Sequence, residues 1–231
     1  MKESLQNFYL FLKKPSLIKQ SKDKKLLATD FTALFIIDFT FTVLLFSVFG
    51  ILLHFDIIKE YEGIDIFKEY GALGTLFIAC IIAPVLEETI FRYHLRDLNG
   101  AIYFIFISIG ILIISQIDGI GSQFATIVLA LVIAVSVIEF LKKKGRFYSA
   151  KFWKKTYPFL FYYTSFIFGL VHLSNYNGLT VSDPSFVFYI ASQTVGGLGL
   201  GYLRIKYGLV YSMLFHAFFN LVWVLFAILF P

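Results

Sequence analysis

The sequence predicts an all-α protein, a polytopic transmembrane helical bundle of about seven spans (six to eight) with its N-terminus in the cytoplasm. Of its 231 residues, 58% are apolar and 15% are charged, whereas soluble domains are typically about 45–50% apolar and about 25% charged. The apolar residues fall in blocks of bilayer length, without the alternation of a membrane barrel. Helices satisfy their own backbone groups in lipid. The composition therefore excludes a soluble enzyme, a secreted disulfide scaffold and a disordered chain.

Seven blocks are long enough to cross a bilayer, which takes about 20 mostly apolar residues. They are Phe31–Phe55, Ala72–Phe91, Ala101–Ile117, Gly121–Leu141, Tyr157–Leu173, Pro184–Leu203 and Gly208–Phe230. Residues 1–27 are basic, with apolar residues between the lysines. This pattern predicts either an amphipathic helix at the cytoplasmic interface or a solvated tail. Residues 28–231 are predicted to form a single membrane domain.

The basic residues predict the orientation, because Lys and Arg are retained on the cytoplasmic side of a membrane. With the N-terminus inside and seven spans, only Lys59 and Lys68 fall outside the cytoplasmic segments. We therefore expect a multi-pass protein of the cell membrane, whose partners are the lipid bilayer and a membrane-associated peptide or protein. The net charge of +5 is then a consequence of topology, and no nucleic-acid partner is expected.

Ionisable residues inside apolar blocks are costly and usually face a cavity or a partner. Asp30 and Glu139 lie near the ends of blocks, where the membrane interface explains them. Asp38 lies deeper, and a structural, hydrogen-bonded role is favoured for it. The remaining candidates are Glu87, Glu88, His172 and His216, with Arg92 at the end of a block.

Glu88 and Arg92 are four residues apart, a spacing that predicts an ion pair on one face of a helix. Glu87 points about 100° away from Glu88, which leaves it free to face a cavity. A carboxylate in that position is suited to general acid–base catalysis. A snorkelling arginine beside two interfacial acids would explain the same motif without any function.

His172 ends the fifth block, while His216 and Asn220 share one face of the last block. Each of them alone is explained by an interhelical hydrogen bond. Together with Glu87 they predict a polar cluster, contributed by three helices, that packing does not require. Glycines in the sixth block would let the helices approach closely around this cluster; they are Gly196, Gly197, Gly199 and Gly201.

The order of three motifs resembles the CAAX-protease and bacteriocin-processing (CPBP, or Abi) family of intramembrane endopeptidases. The motifs are Glu87-Glu88-x-x-x-Arg92, Phe168-x-x-x-His172 and His216-x-x-x-Asn220, and the stretch from Gln193 to His216 is also similar to that family. The resemblance covers about residues 72–98 and 160–225. It implies hydrolysis of a peptide bond in a membrane-associated or lipidated protein or peptide, in CAAX-type or leader- and bacteriocin-type processing, at a site facing the cytoplasm.

The resemblance also implies a role for each residue. Glu87 would activate a water, and His172, His216 and Asn220 would hold that water or stabilise the oxyanion. Glu88 and Arg92 would order the site. No cofactor is required in the preferred interpretation, although Glu87, His172 and His216 could ligate a divalent metal such as zinc.

Two features depart from the family pattern. Two apolar blocks separate Arg92 from Phe168, which predicts an inserted helical hairpin at about 100–145. A span that starts at Tyr157 on the cytoplasmic side would place His172 about 22 Å deep, deeper than expected for Glu87. An interfacial position for residues 147–162, or a strong tilt of the helix, would remove this difference.

Two other functions remain open from the residues alone. A non-catalytic membrane immunity or binding protein would keep the fold without turnover. A proton-coupled transporter would also place Glu and His within the membrane, although no similarity between the two halves of the chain supports it.

Overall fold

The computed structural model describes residues 1–230 and contains eight helices. They are α1 (Lys2–Lys13), α2 (Lys24–His54), α3 (Ile66–Arg96), α4 (Leu98–Ile114), α5 (Ile120–Lys144), α6 (Arg146–Val171), α7 (Phe186–Lys206) and α8 (Leu209–Leu229). Within this described range there is no strand, only an isolated bridge between Gly63 and Tyr176. The all-α prediction is therefore confirmed.

Five helices are long and apolar enough to cross a membrane: α2, α3, α5, α7 and α8. The helix α4 is apolar but has only 17 residues. The helix α6 has 26 residues and is not among the five, because its first part is rich in lysine. All seven apolar blocks lie largely within helices, whereas seven spans and a cytoplasmic N-terminus stay predictions.

The helix α1 packs on the bundle through two aromatic side chains. Phe8 and Phe11 are buried, with ring centroids 5.2 Å and 5.0 Å from that of Tyr202. Tyr162 donates a hydrogen bond to the Leu12 carbonyl oxygen. A solvated tail therefore does not describe residues 2–13, which form an amphipathic helix against the bundle.

Glycines let α6 and α7 lie in close contact, as the sixth block predicts. A Cβ atom on Gly201 would lie 2.7 Å from the Phe161 ring, and one on Gly169 of α6 would lie 2.1 Å from Thr194 Oγ1. A side chain at Gly201 would displace the Phe161 ring, and one at Gly169 would also meet the Ile190 carbonyl oxygen of α7 at 2.8 Å. The central helix α7 is thereby brought near every element of the site.

The helices α4 and α5 form a hairpin at the edge of the bundle. Ile102, near the start of α4, packs with Ala134, Ile138 and Leu141 in the second half of α5. The two helices are therefore antiparallel. That this hairpin is an insertion relative to other family members stays a prediction.

The interfacial interpretation of Asp30 is wrong. Asp30 is 1% exposed, and its Oδ2 accepts hydrogen bonds from Lys206 Nζ at 2.6 Å and from the Tyr207 hydroxyl at 2.7 Å. The end of α7 covers this part of α2, which the sequence spacing alone does not show. Lys206, one of the charges used to predict the orientation, is thus also a packing residue.

The lysine-rich first part of α6 extends beyond the end of α3. Tyr157 donates a hydrogen bond to the Leu95 carbonyl oxygen at 3.1 Å, and Phe168 packs against Phe91 with ring centroids 5.3 Å apart. The two helices are therefore antiparallel, and residues 146–156 lie past Arg96. Because the first residues of α6 lie beyond the end of α3, the last turn of α6 brings His172 level with Glu87.

Candidate active site

Glu88 is the centre of a buried network of four side chains. It has no exposed surface, and its Oε1 lies 3.1 Å from His216 Nδ1 and 3.5 Å from Arg92 Nη1. Ser212 donates a hydrogen bond to the other carboxylate oxygen, Oε2. The predicted ion pair between Glu88 and Arg92 is therefore present. The contacts of Ser212 and His216 with Glu88 also hold α8 against α3.

Glu87 faces the two histidines from the neighbouring position on α3. Its Oε2 lies 3.9 Å from His172 Nε2 and 3.8 Å from His216 Nε2. Both distances exceed a direct hydrogen bond, but a water oxygen about 2.8 Å from each atom would bridge them. The Glu87 side chain is 28% exposed, in contrast to that of Glu88. The two adjacent acids therefore differ as the helical geometry predicts, one paired and one open.

The surroundings of each histidine determine which ring nitrogen carries the proton. His172 Nδ1 lies 2.7 Å from the Phe168 carbonyl oxygen, and His216 Nδ1 lies beside the Glu88 carboxylate. Both partners are acceptors, so each Nδ1 donates. In a neutral ring, the Nε2 atom that faces Glu87 is then an unprotonated acceptor.

A proline in α3 creates the contact made by Asn220. Residues Ile78–Ile82 form a π-helical turn, in which the Ala83 N–H bonds to the Ile78 carbonyl. In the same pattern, the donor to the Ala79 carbonyl would be residue 84, but this residue is a proline and has no N–H. The Ala79 carbonyl is thus left free, and Asn220 Nδ2 donates to it at 2.7 Å. This bond connects α8 to α3 about two turns before Glu87.

Arg92 is completely buried between Glu88 and an aromatic ring. Its guanidinium lies 3.8 Å from the centroid of the Phe168 ring, a cation–π contact. A Cβ on Gly197 would approach Arg92 Nη2 to 3.2 Å. The glycine therefore provides the space that the arginine occupies, which connects α7 to the site.

A cavity of about 320 Å³ adjoins His216 and Asn220. Phe168 and the polar side chains of Asp38, Ser192 and Gln193 also line it. This cavity, with polar groups on a largely apolar wall, borders the site through His216 and Asn220 and provides space for a substrate.

The three donor atoms facing one another are of the kind that bind zinc. The separations of 3.8 Å and 3.9 Å are longer than the roughly 3.4 Å between ligands about 2.1 Å from a tetrahedral ion. Among the described residues, no group of three or more His, Cys, Asp or Glu side chains is arranged to hold a metal. The geometry fits a water oxygen more closely than a zinc ion, and the metal dependence stays a prediction.

The structure places Glu87, Glu88, Arg92, His172 and His216 in one cluster. Asn220 lines the cavity beside His216 and is joined to the π-helical turn. Two contacts were not predicted from the sequence: the hydrogen bond from Ser212 to Glu88, and the one from Asn220 to the Ala79 carbonyl. The position of Ser212, four residues before His216 and so on the same face of α8, was an available signal. The Ala79 contact depends on the π-helical turn, for which Pro84 was the only signal.

A comparison with family models identifies the chain. The model described as type II CAAX prenyl endopeptidase Rce1-like matches residues 69–222, more than half of the sequence. No curated protein and no solved structure matches the chain. The matched range contains all three motifs and Ser212, whereas Asp38 of the cavity lies outside it. The chain therefore belongs to the Rce1-like family of type II CAAX prenyl endopeptidases, a family of membrane peptidases, as its motifs indicate.

Proposed function

We propose that the protein is an intramembrane endopeptidase in which Glu87 activates a water to hydrolyse a peptide bond of a membrane-associated or lipidated substrate. The observation that carries the proposal is the position of Glu87 Oε2, within 3.9 Å of two unprotonated histidine nitrogens on other helices. Processing of a CAAX-type C-terminus follows from the family; leader or bacteriocin processing is the other substrate class that the motifs imply.

The arrangement of acceptors orients the attacking water. The water donates one hydrogen to Glu87 Oε2 and the other to a histidine Nε2, which directs an oxygen lone pair at the substrate carbonyl carbon. Glu87 takes a proton as the C–O bond forms, and transfers it to the leaving nitrogen as the C–N bond breaks. No metal is required for these steps.

Asn220 is suited to stabilise the oxyanion that forms in the first step. One of its two amide hydrogens is donated to the Ala79 carbonyl, which fixes the plane of the amide group. The second hydrogen remains for the substrate oxygen. Preorganised donors of this kind contribute most in a site that excludes water.

Glu88 and Arg92 act as positioning residues. Glu88 accepts the Nδ1 hydrogen of His216 and so keeps Nε2 directed at Glu87. Arg92 compensates the buried charge of Glu88. We assign the site to the cytoplasmic side, because Glu87 lies toward the Arg96 end of α3, where the basic extension of α6 begins.

Peptide profiling of native-host membranes tests the proposal. Membranes that contain wild-type protein should yield cleavage products that are missing with Glu87→Gln at matched protein level. Glu139→Gln is the control, because Glu139 is exposed on α5 and pairs only with Lys142. Identical peptide profiles for wild type and Glu87→Gln would contradict the proposal and favour a binding protein.

A further inference from the structure

One buried acid, Asp38 of α2, lies outside the hydrogen-bonded network of the site. It is 7% exposed and lines the cavity that also borders His216 and Asn220. Its Oδ1 makes no hydrogen bond within residues 1–230. The other buried acid of α2, Asp30, also has one oxygen without a donor in that range, but its Oδ2 is paired with Lys206. A buried acceptor without a donor is costly, so the carboxylate of Asp38 requires an explanation.

The chain makes room for this carboxylate at the cavity wall. A Cβ on Gly196 would lie 3.1 Å from Asp38 Oδ2, so the glycine lets the acid lie against α7 without a shift of its side chain. One turn further along α2, the buried Thr42 hydroxyl also has no hydrogen-bond partner among the described residues. Ser192 and Gln193 line the same cavity from α7. Two buried oxygens without a hydrogen-bond partner among the described residues, Asp38 Oδ1 and Thr42 Oγ1, thus lie on this one cavity.

The rest of the cavity wall is aromatic. Five rings line it: Phe46, Phe168, Phe215, Phe219 and Trp223. Aromatic walls favour large apolar side chains, whereas a carboxylate accepts N–H donors. A peptide strand with apolar side chains supplies both, because its main chain carries an N–H at every residue.

We propose that Asp38 is a substrate-binding residue that accepts a main-chain N–H from an apolar peptide segment adjoining the scissile bond, with Gln193 beside it as a second polar contact. The proposal rests on the proposed function, because the cavity reaches the reacting atoms only through His216 and Asn220. It assigns to α2 a part in substrate recognition, although α2 lies outside the residues that match the family model.

An amide-to-ester double-mutant cycle tests this hydrogen bond. The probe is a fluorescent peptide that ends in S-farnesyl-Cys-Val-Ile-Ala, in which the Cys–Val bond is the scissile bond. The two amides that follow it, Val–Ile and Ile–Ala, are each replaced in turn by an ester. Binding is measured to full-length protein carrying Glu87→Gln, so that no turnover interferes. At one position the ester should bind about tenfold more weakly than the amide, as for a hydrogen bond to a charged group. With Asp38→Leu added, amide and ester should bind equally.

Two variants separate this role from an effect on folding. Asp38→Asn keeps an acceptor oxygen at nearly the same volume, so it should retain part of the preference for the amide. Asp30→Asn removes a paired buried acid and should lower thermal stability while leaving the preference unchanged. Equal affinities for amide and ester in the Asp38 protein, or no measurable binding, would overturn the proposal. A second result would also overturn it. If a peptide with Lys in place of Ile bound more tightly than the unmodified peptide, and only in the protein with Asp38, then Asp38 would bind a cationic side chain instead of a main-chain N–H.

Hydrolysis is followed separately with wild-type protein and the unmodified peptide. Without hydrolysis the proposed reaction would fail, while an ester effect that depends on Asp38 would still establish the binding residue. Hydrolysis without that dependence would leave the reaction in place and remove Asp38 from the substrate site.

Discussion

Arg92 has no exposed surface, and within the described chain its guanidinium contacts a carboxylate and a ring rather than water. Removing one partner of a buried ion pair leaves the other charge uncompensated, at a cost of about 3–5 kcal/mol. We expect Arg92→Ala to lower both the yield and the thermal unfolding temperature, and activity with them. Arg92→Lys should be intermediate, because lysine keeps the charge but loses the planar contact with Phe168.

The measurement is thermal unfolding of purified protein in detergent, together with the yield from matched membranes. Arg146→Ala, at the exposed start of α6, is the control and should match wild type. Wild-type stability of Arg92→Ala would show that Glu88 is neutral or compensated by another group.

The distances around Glu87 lead to a prediction about metal removal. Glu87 Oε2 lies 3.9 Å and 3.8 Å from the two histidine Nε2 atoms, distances that a bridging water would span. We therefore expect activity to survive chelation, with bound metal well below one ion per chain. Elemental analysis and turnover before and after chelation check this. Loss of activity that zinc restores would instead make Glu87, His172 and His216 metal ligands.

The contact between α3 and α8 depends on two residues from different helices. Asn220→Ala would leave the Ala79 carbonyl without a donor, at a cost of about 1–3 kcal/mol. Pro84→Ala would supply a backbone N–H to the same turn of α3. We therefore expect the cost of Asn220→Ala to be smaller when Pro84→Ala is also present, as measured by unfolding in a double-mutant cycle. Additive effects would refute the proposed link.

Gly169, at the contact between α6 and α7, can be compared with Gly199, which faces α2. Gly169→Ala would place a methyl group 2.1 Å from Thr194 Oγ1 and 2.8 Å from the Ile190 carbonyl oxygen. We expect a loss of stability of about 1–3 kcal/mol or more. Activity should also fall, because His172 lies one turn further along the chain. Gly199→Ala meets only a Leu34 methyl at 3.9 Å and should be neutral or stabilise α7 slightly. Equal unfolding temperatures for the two variants would contradict this packing.

At the scale of the whole molecule, two loops far apart in sequence are joined beyond the membrane helices. The Tyr61 hydroxyl donates to Asp183 Oδ2 at 2.6 Å, and the Ile64 N–H donates to the Asn175 carbonyl at 2.9 Å. The second loop begins directly after His172. The loop that follows α2 is therefore hydrogen-bonded to the segment that directly follows His172.

This connection has a defined pH dependence. Hydrogen bonds from the Tyr61 hydroxyl, and then from the hydroxyl and N–H of Ser185, lower the pKa of Asp183 from 3.8 to about 2. Because the folded pKa is the lower one, the stabilisation is complete above pH about 4 and is lost as the pH falls through about 2. Amide hydrogen exchange of residues 56–65 should be faster in Tyr61→Phe than in wild type at pH 5, and the difference should disappear near pH 2. Tyr148→Phe, exposed on α6, is the control. A difference that persists below pH 2 would exclude Asp183 as the titrating group.

Much of the site could be predicted because it depends on spacing within single helices. The pairing of Glu88 with Arg92 and the different direction of Glu87, about 100° away, follow from the helical repeat. The shared face of His216 and Asn220 follows in the same way. In contrast, the burial of Asp30 against Lys206 and the bond from Ser212 to Glu88 depend on which helices are neighbours. Spacing along one helix contains no information about its neighbours, so these contacts could not be predicted.

The helical membrane class, the three motifs and the family could be recognised from the amino-acid order, because composition, period and spacing are properties of the chain alone. The direction of the His172 and His216 Nε2 atoms toward Glu87 follows from the packing of the helices, since a carbonyl and a second carboxylate select the tautomer. Packing also explains why Asn220 binds the carbonyl left free by Pro84, and why Asp38 Oδ1 lies at the cavity without a hydrogen-bond partner among the described residues. These properties depend on how helices distant in sequence pack together, with glycines at the closest contacts between them.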